Sequence, residues 1–187
     1  MEVCGEADST STALSRAEET QPDLVIIDLS LKDSHGLTLI RRLRASAPKI
    51  RILVVTAHSE VLYGERVIQL GAHGFINKQQ AQTNIIAAIR RVASGRRYLS
   101  EQLAQRLLDQ AVSGTSSRPA GLASLSDREL EVFELIGAGR TTRAIAEQLH
   151  LSVHTIETYR ENIRAKLSLK NASELVQRAV QWVIENR

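Results

Sequence analysis

Three short apolar runs each end in a residue able to do chemistry, and that placement limits the possible folds more than anything else in the chain. Residues 24–27 (LVII) are followed by Asp28, residues 50–55 (IRILVV) by Thr56, and residues 74–77 (GFIN) by Lys78. Runs rich in Val and Ile, without polar alternation, fit strands buried on both faces of a parallel sheet. Between them apolar residues recur every three to four positions, as helices require: Leu37, Ile40 and Leu43, then Leu62, Val67, Ile68 and Leu70, then Ile85, Ile86, Ile89 and Val92. Pro22, Pro48 and Gly71 stand where helices should stop. Strand alternating with helix predicts an open α/β sheet.

In such a sheet, ligand groups gather beyond the carboxyl ends of the strands. Asp28 and Thr56 lie 28 residues apart and Thr56 and Lys78 lie 22 apart, about one strand–helix unit each. A carboxylate, a hydroxyl and an ammonium would therefore meet at one mouth. That trio suits an aspartyl-phosphate site, with the Asp28 carboxylate as nucleophile, the Lys78 ammonium offsetting phosphoryl charge and the Thr56 hydroxyl donating to an oxygen. Taken singly, an Asp capping a turn, a Thr ending a strand and a solvated Lys are commonplace. Their shared position, in this order, makes them a site.

The second half has a different grammar. Residues 99–112 place Leu99, Leu103, Leu107 and Leu108 on one helical face, and residues 113–123 (SGTSSRPAGLA) read as a linker. Four helices are expected beyond it, at about 126–136, 142–149, 153–167 and 172–184. Ser126 with Glu129 and Asn171 with Glu174 form capping-box patterns, Ser152 suits an N-cap, and Gly137 and Gly139 suit a helix end.

Residues 142–161 have helix-turn-helix spacing, with His150 in the turn. Ala146 is small where two helices cross, and Ile145, Leu149, Leu151 and Ile156 supply their contact. On the second helix Val153, Ile156, Ile163 and Leu167 should face inward. His154, Thr155, Glu157, Thr158, Glu161 and Arg164 should face outward, with Arg160 at the side. Outward residues of such a helix read bases in a major groove while cations hold phosphates. Arg160, Arg164, Lys166 and Lys170 supply the cations, Glu157 or Glu161 would accept from cytosine, and Thr142 and Arg143 open the preceding helix. A solvated amphipathic helix is the plainer account of any one of these charges.

The 187 residues allow one large domain or two small ones. With 43% hydrophobic and 24% charged residues, the chain is not of the disordered class. No apolar run approaches a membrane span, no signal-peptide pattern opens the chain, and a single cysteine, Cys4, allows neither an internal disulfide nor a cysteine zinc site. A cytoplasmic location is expected. At 3% aromatics there is no stacking platform for single strands. The net charge of +3 divides as 15 Lys and Arg against 12 Asp and Glu in residues 1–121, and 9 against 9 in 122–187. Any nucleic-acid binding must then rest on local geometry. His150 and His154 straddle a turn without a third ligand, so zinc is not expected. With neither a Gly-rich phosphate loop nor a nucleophile–base pair, an enzyme is not expected.

Residues 23–31 (DLVIIDLSL) with Gly36 and Leu37, residues 54–57 (VVTA) and residues 71–78 (GAHGFINK) resemble a response-regulator receiver domain. The resemblance implies a flavodoxin-like fold with Asp28 as phosphoacceptor, Thr56 and Lys78 as its partners, and Phe75 as the switch aromatic. Residues 125–132 (LSDRELEV), 139–146 (GRTTRAIA) and 152–160 (SVHTIETYR), with Lys166 and Leu167, resemble the LuxR-type DNA-binding domain of the NarL/FixJ class. By these likenesses 1–97 is a receiver, 98–121 a connecting helix and linker, and 122–187 an all-α four-helix LuxR-type domain. Residues 2–6 resemble a receiver's second strand, so the first βα unit and its acidic pair are expected upstream, in a longer reading frame. The alternative is a degenerate receiver working without phosphorylation. A complete receiver implies Mg²⁺, whereas Asp28 is the only such ligand expected here. The implied partners are a sensor histidine kinase, double-stranded DNA and a second copy of the chain, dimerising through an apolar last helix (Leu175, Val176, Ala179, Val180, Trp182 and Val183).

Overall fold

In the computed structural model, residues 1–31, 36–113 and 121–185 are described. The chain divides into two units, residues 1–115 and 116–187.

The first unit is a parallel three-stranded sheet with helices. Its first helix, α1 (Thr10–Thr20), starts where the Ser9 hydroxyl accepts from the Thr12 N–H and ends at Gln21, in the left-handed region at φ 44°. Sequence reading missed this helix, whose polar composition hides its narrow inner face. Strands β1 (Leu24–Ile27), β2 (Arg51–Thr56) and β3 (Gly74–Asn77) pair in that order, with Leu24 opposite Arg51 and Leu53 opposite Gly74. The alternating pattern thus yields the expected receiver-like α/β sheet. Residues 2–6, expected as a strand, are not one. A strand needs a partner to take its backbone groups, and no described residue offers one; Met1 and Val3 stand 81% and 78% exposed. Within the described residues β1 lies at a sheet edge, and Ile26 on it is 47% exposed while Ile27 is buried.

Helix α2 (Gly36–Ser46) buries Leu37, Leu39, Ile40 and Leu43. It approaches β1 so closely that a Cβ on Gly36 would lie 2.6 Å from the Asp28 carbonyl oxygen. Helix α3 (Glu60–Gln69) buries Tyr63, Gly64 and Val67, and α4 (Lys78–Ala93) buries Ala81, Ala88 and Val92 beside Leu53 and Ile76 of the sheet. Thr56 is the last residue of β2 and Lys78 the first of α4, whose N-cap Asn77 accepts from the Gln79 N–H at 2.9 Å. Helix α5 (Glu101–Ser113) lies in this unit too. Leu103 is fully buried there against Gly64, and Ser100 donates to Glu60 at 2.6 Å. Of its four expected inward leucines, Leu108 is 60% exposed and Leu99 precedes the helix. One inward stripe is enough for a helix that touches a single neighbour. The expected linker lies mostly outside the described residues.

The second unit opens with a 3-10 turn (Gly121–Ser124) and continues as four helices: α6 (Asp127–Gly137), α7 (Thr142–Leu149), α8 (Val153–Lys166) and α9 (Ala172–Glu185). These match the four expected helices to within a residue or so at each end. Ser126 and Glu129 close the capping box that starts α6. Phe133 and Trp182, 6.1 Å apart, join α6 to α9, and a Cβ on Gly137 would meet the Ala179 carbonyl oxygen at 2.4 Å. Val153, expected inward, is instead 49% exposed. As the first residue of α8 it lies ahead of the inward stripe, which starts at Ile156.

Candidate functional site: a carboxylate cluster and an exposed helix face

The first candidate site forms where β1, β2 and β3 end. The parallel register brings the three chemistry-bearing residues to one end of the sheet. Lys78 Nζ lies 2.7 Å from Asp28 Oδ2, and the Ser30 N–H donates to Asp28 Oδ1 at 3.2 Å. Thr56 is fully buried, and its hydroxyl oxygen accepts from the His58 N–H at 3.3 Å. Burial pushes the Asp28 carboxyl upward, but the hydrogen bonds from Lys78 and Ser30, the Lys78 charge and the Thr56 hydroxyl outweigh it and hold the group below its ordinary value. The carboxylate is therefore kept ionised, as a nucleophile must be. Phe75, on β3 beside Val54, is 1% exposed and belongs to the core.

Sequence reading missed one pair of residues here. Ser30 Oγ and His58 Nε2 are 3.0 Å apart, joining the loops that follow β1 and β2 across the mouth of the site. The signal was available in principle, since each lies two residues beyond a site residue.

A receiver family implies Mg²⁺, and the residues present do not fit it. Among the described residues no group of three His, Cys, Asp or Glu could hold a metal ion. Among the described residues Asp28 is the lone carboxylate of the cluster, and both its oxygens already have protein partners.

The second candidate site is the pair α7 and α8. The Thr141 hydroxyl caps α7, and Ile145, Ala146 and Leu149 bury its inner face. His150 ends it at φ 54°, where His is better tolerated than most side chains, and the Leu151 N–H donates back to the Ala146 carbonyl at 2.9 Å. The Ser152 hydroxyl then accepts from the Thr155 N–H at 3.0 Å and starts α8. Only Ile156 and Ile163 of α8 are fully buried. His154, Glu157, Thr158, Glu161, Lys166 and Lys170 are exposed, and Thr142, Thr155, Arg160 and Arg164 are half-buried.

Several expected phosphate cations are engaged within the protein. Lys166 Nζ lies 2.6 Å from Glu129 Oε2, the carboxylate that also completes the α6 capping box. Arg160 sits 3.7 Å from Glu157, and the exposed Arg143 sits 3.2 Å from Glu147. Among the described residues Arg164 and Lys170 have no such ion pair.

Residues 1–90 match the family described as the response regulator receiver domain, and residues 123–179 match the bacterial regulatory proteins of the luxR family. The transcriptional activator protein ExaE of Pseudomonas putida is 36% identical over 176 residues, covering 94% of this chain and 82% of the relative. Response regulator UvrY of Escherichia coli is 33% identical over 182 residues, covering 97% and 83%. Among solved structures, RcsB of Salmonella enterica bound to promoter rprA superposes with a TM-score of 0.65 at 25% identity, covering 96% and 85%. Among the described residues no helix is long and apolar enough to cross a membrane. A receiver-like sheet in the first unit, an exposed helix-turn-helix in the second, and relatives 36% and 33% identical and covered over 82% and 83% of their length place this chain in the family of two-component response regulators with a LuxR-type DNA-binding domain, which act as DNA-binding transcriptional regulators.

Proposed function

We propose that the outer face of α8 reads double-stranded DNA in the major groove, and that Asp28 is the receiver's phosphoacceptor. The single observation behind the first claim is that α8 is anchored by Ile156 and Ile163 while His154, Glu157, Thr158 and Glu161 stay exposed. The 142–161 segment is then the recognition motif, Arg164 and Lys170 hold phosphates directly, and Thr142, Thr155, Arg143, Arg160 and Lys166 border the groove. Residues 1–97 form the receiver, 98–121 the connection and 122–187 the DNA-binding domain. Two copies bind paired half-sites, as two-fold helix-turn-helix proteins do, and RcsB, a structural relative, is bound to promoter rprA. The role is regulatory rather than catalytic, and a cytoplasmic location follows from that role.

At the receiver, the Asp28 carboxylate attacks the phosphorus of a sensor kinase's phosphohistidine. The P–N bond breaks as the P–O bond forms, and the imidazole leaves with a proton from solvent. Lys78 and Thr56 stabilise charge on the phosphoryl oxygens, and Thr56 with Phe75 carries the change inward. Among the described residues the cluster offers Asp28 alone as a carboxylate ligand for a metal ion.

Selection of random duplexes by the full chain tests the DNA reading: a shared sequence should emerge, and His154→Ala or Glu157→Ala should relax it at one position. Enrichment of no sequence overturns it.

A second reading is favoured by one observation, the engagement of both Asp28 oxygens in a cluster with no further carboxylate among the described residues. The receiver then serves as a contact domain and DNA binding is independent of phosphorylation. Incubation with acetyl phosphate and Mg²⁺ separates the two. Poor labelling, with DNA binding unchanged by Asp28→Ala, supports the second; efficient labelling at Asp28 supports the first.

A further inference from the structure

Two long stretches of the first unit contain no acidic residue. Residues 34–59 carry Arg41, Arg42, Arg44, Lys49 and Arg51, and residues 66–100 carry Arg66, Lys78, Arg90, Arg91, Arg96 and Arg97. The fold brings cations from both stretches together where β2 and β3 begin, at the opposite end of the sheet from Asp28. A Cβ on Gly71, in the turn before β3, would lie 2.8 Å from Arg44 Nε, and one on Gly95 would lie 3.4 Å from Arg51 Nη2. Arg97 Nη1 donates to the Ala72 carbonyl at 3.3 Å, and Arg91 Nε donates to the Arg97 carbonyl at 2.7 Å. Between them stands His73, whose Nδ1 accepts from the Ile52 N–H at 3.1 Å. Burial, and then Arg51, Arg44 and Arg97 in that order, lower its pKa, as expected where three guanidinium groups converge.

These cations are not matched by carboxylates. Arg44 donates to the Pro48 carbonyl and Arg96 to the Ser94 hydroxyl, and neither they nor Arg51, Arg91 and Arg97 form an ion pair with a described residue. Asp23, whose carbonyl accepts from the Arg51 N–H, is the acidic residue at the border. The carboxyl ends of α2, α3 and α4 also point this way, and Arg44 and Arg91 lie in the last turns of α2 and α4. A helix end carries about half a negative charge, so three ends offset roughly one and a half of the six positive charges on Arg44, Lys49, Arg51, Arg91, Arg96 and Arg97. The remainder faces water, with Lys49, Arg91, Arg96 and Arg97 exposed.

The DNA-binding unit shows the opposite pattern. Residues 122–187 balance 9 against 9, and Arg128, Arg143, Arg160 and Lys166 all pair with carboxylates. Sequence-independent affinity for DNA comes almost wholly from cations that neutralise phosphates. The chain's charge excess lies in the other unit and is concentrated at this one surface.

We propose that the basic surface formed by Arg44, Lys49, Arg51, Arg91, Arg96 and Arg97 binds the phosphate backbone of double-stranded DNA. It adds to the non-specific attraction that Arg164 and Lys170 supply in the helical unit. The inference rests on the DNA-binding reading of α8, since a duplex held there is presented to a tethered second surface at high local concentration.

The test is the salt dependence of full-chain binding to a 40-bp duplex of arbitrary sequence, for wild type and for Lys49→Gln/Arg96→Gln/Arg97→Gln. If all three contact phosphates, the slope of log K against log salt becomes shallower by about 2.7. The base preference found by random-duplex selection stays the same. Thermal unfolding confirms that the variant is folded, and Lys49→Glu/Arg96→Glu, which leaves the Arg97 bond intact, gives a second measurement. An unchanged slope in a folded variant overturns the proposal while leaving the α8 reading standing. Wild type that binds no duplex overturns both. An unchanged slope combined with weakened binding to poly-glutamate assigns the surface to an acidic protein and likewise overturns it.

Discussion

Lys78 shows how much of Asp28 is set by its neighbour. The ammonium contributes to the Asp28 carboxyl both a hydrogen bond and a charge, against the upward push of burial. In Lys78→Gln the push of burial should dominate, and the Asp28 pKa, read from the NMR titration of its side-chain carboxyl carbon, should rise. An unaltered titration would mean that the 2.7 Å pair is not held in solution. Glu131, on α6, is the opposite case. Burial raises its pKa against the pull of Arg128, with Glu134 and Asp127 adding to the rise. The folded protein therefore holds this proton more tightly than the unfolded chain does. Its contribution to stability is lost as pH rises from about 4.5 through the raised value. Glu131→Gln should thus melt a few degrees above wild type at pH 7, and the gap should close on acidification. Glu129 works in the other direction. Burial raises it, but Lys166 and Ser126 outweigh that and lower it, so its stabilisation is present above its ordinary value of 4.5 and fades below it, in both proteins of the comparison. Such pairs are hard to read in a sequence. The capping motif announces Glu129, but nothing announces that Lys166, 37 residues away, shares its carboxylate.

Elements were more legible than contacts. The apolar runs at 24–27, 50–55 and 74–77 and the caps at Ser126 and Ser152 are local signals, and the structure has a strand or helix at each. Where an element depends on a partner, the local signal misleads. Residues 2–6 resemble a receiver's second strand and form no strand. Val153 has an inward-facing residue type and an exposed position. Gly137 is another residue whose role only packing reveals. By intrinsic preference Ala would favour α6 by about 1 kcal/mol at this position. A Cβ there, however, would sit 2.4 Å from a backbone oxygen of α9, which cannot swing aside as a side chain can. The clash should win. Gly137→Ala is expected to lower stability by about 1–3 kcal/mol in chemical denaturation, despite its better helix propensity. A stabilised variant would show that α9 yields.

At the scale of the molecule, a net charge of +3 conceals two units of different electrostatic character. Counting residues located the excess in the first 121 but not its surface, because Arg44, Arg51 and Arg97 meet only after the strands pair. The edge of the sheet holds a different property. Along β1 an exposed Ile26 sits beside backbone groups that no described strand takes up. Ile26→Lys should remove concentration-dependent self-association, followed by light scattering, without changing the melting temperature by more than a degree or two. With that edge open, the shelf life of a purified sample is expected to follow the exposure of one isoleucine more closely than the stability of the fold.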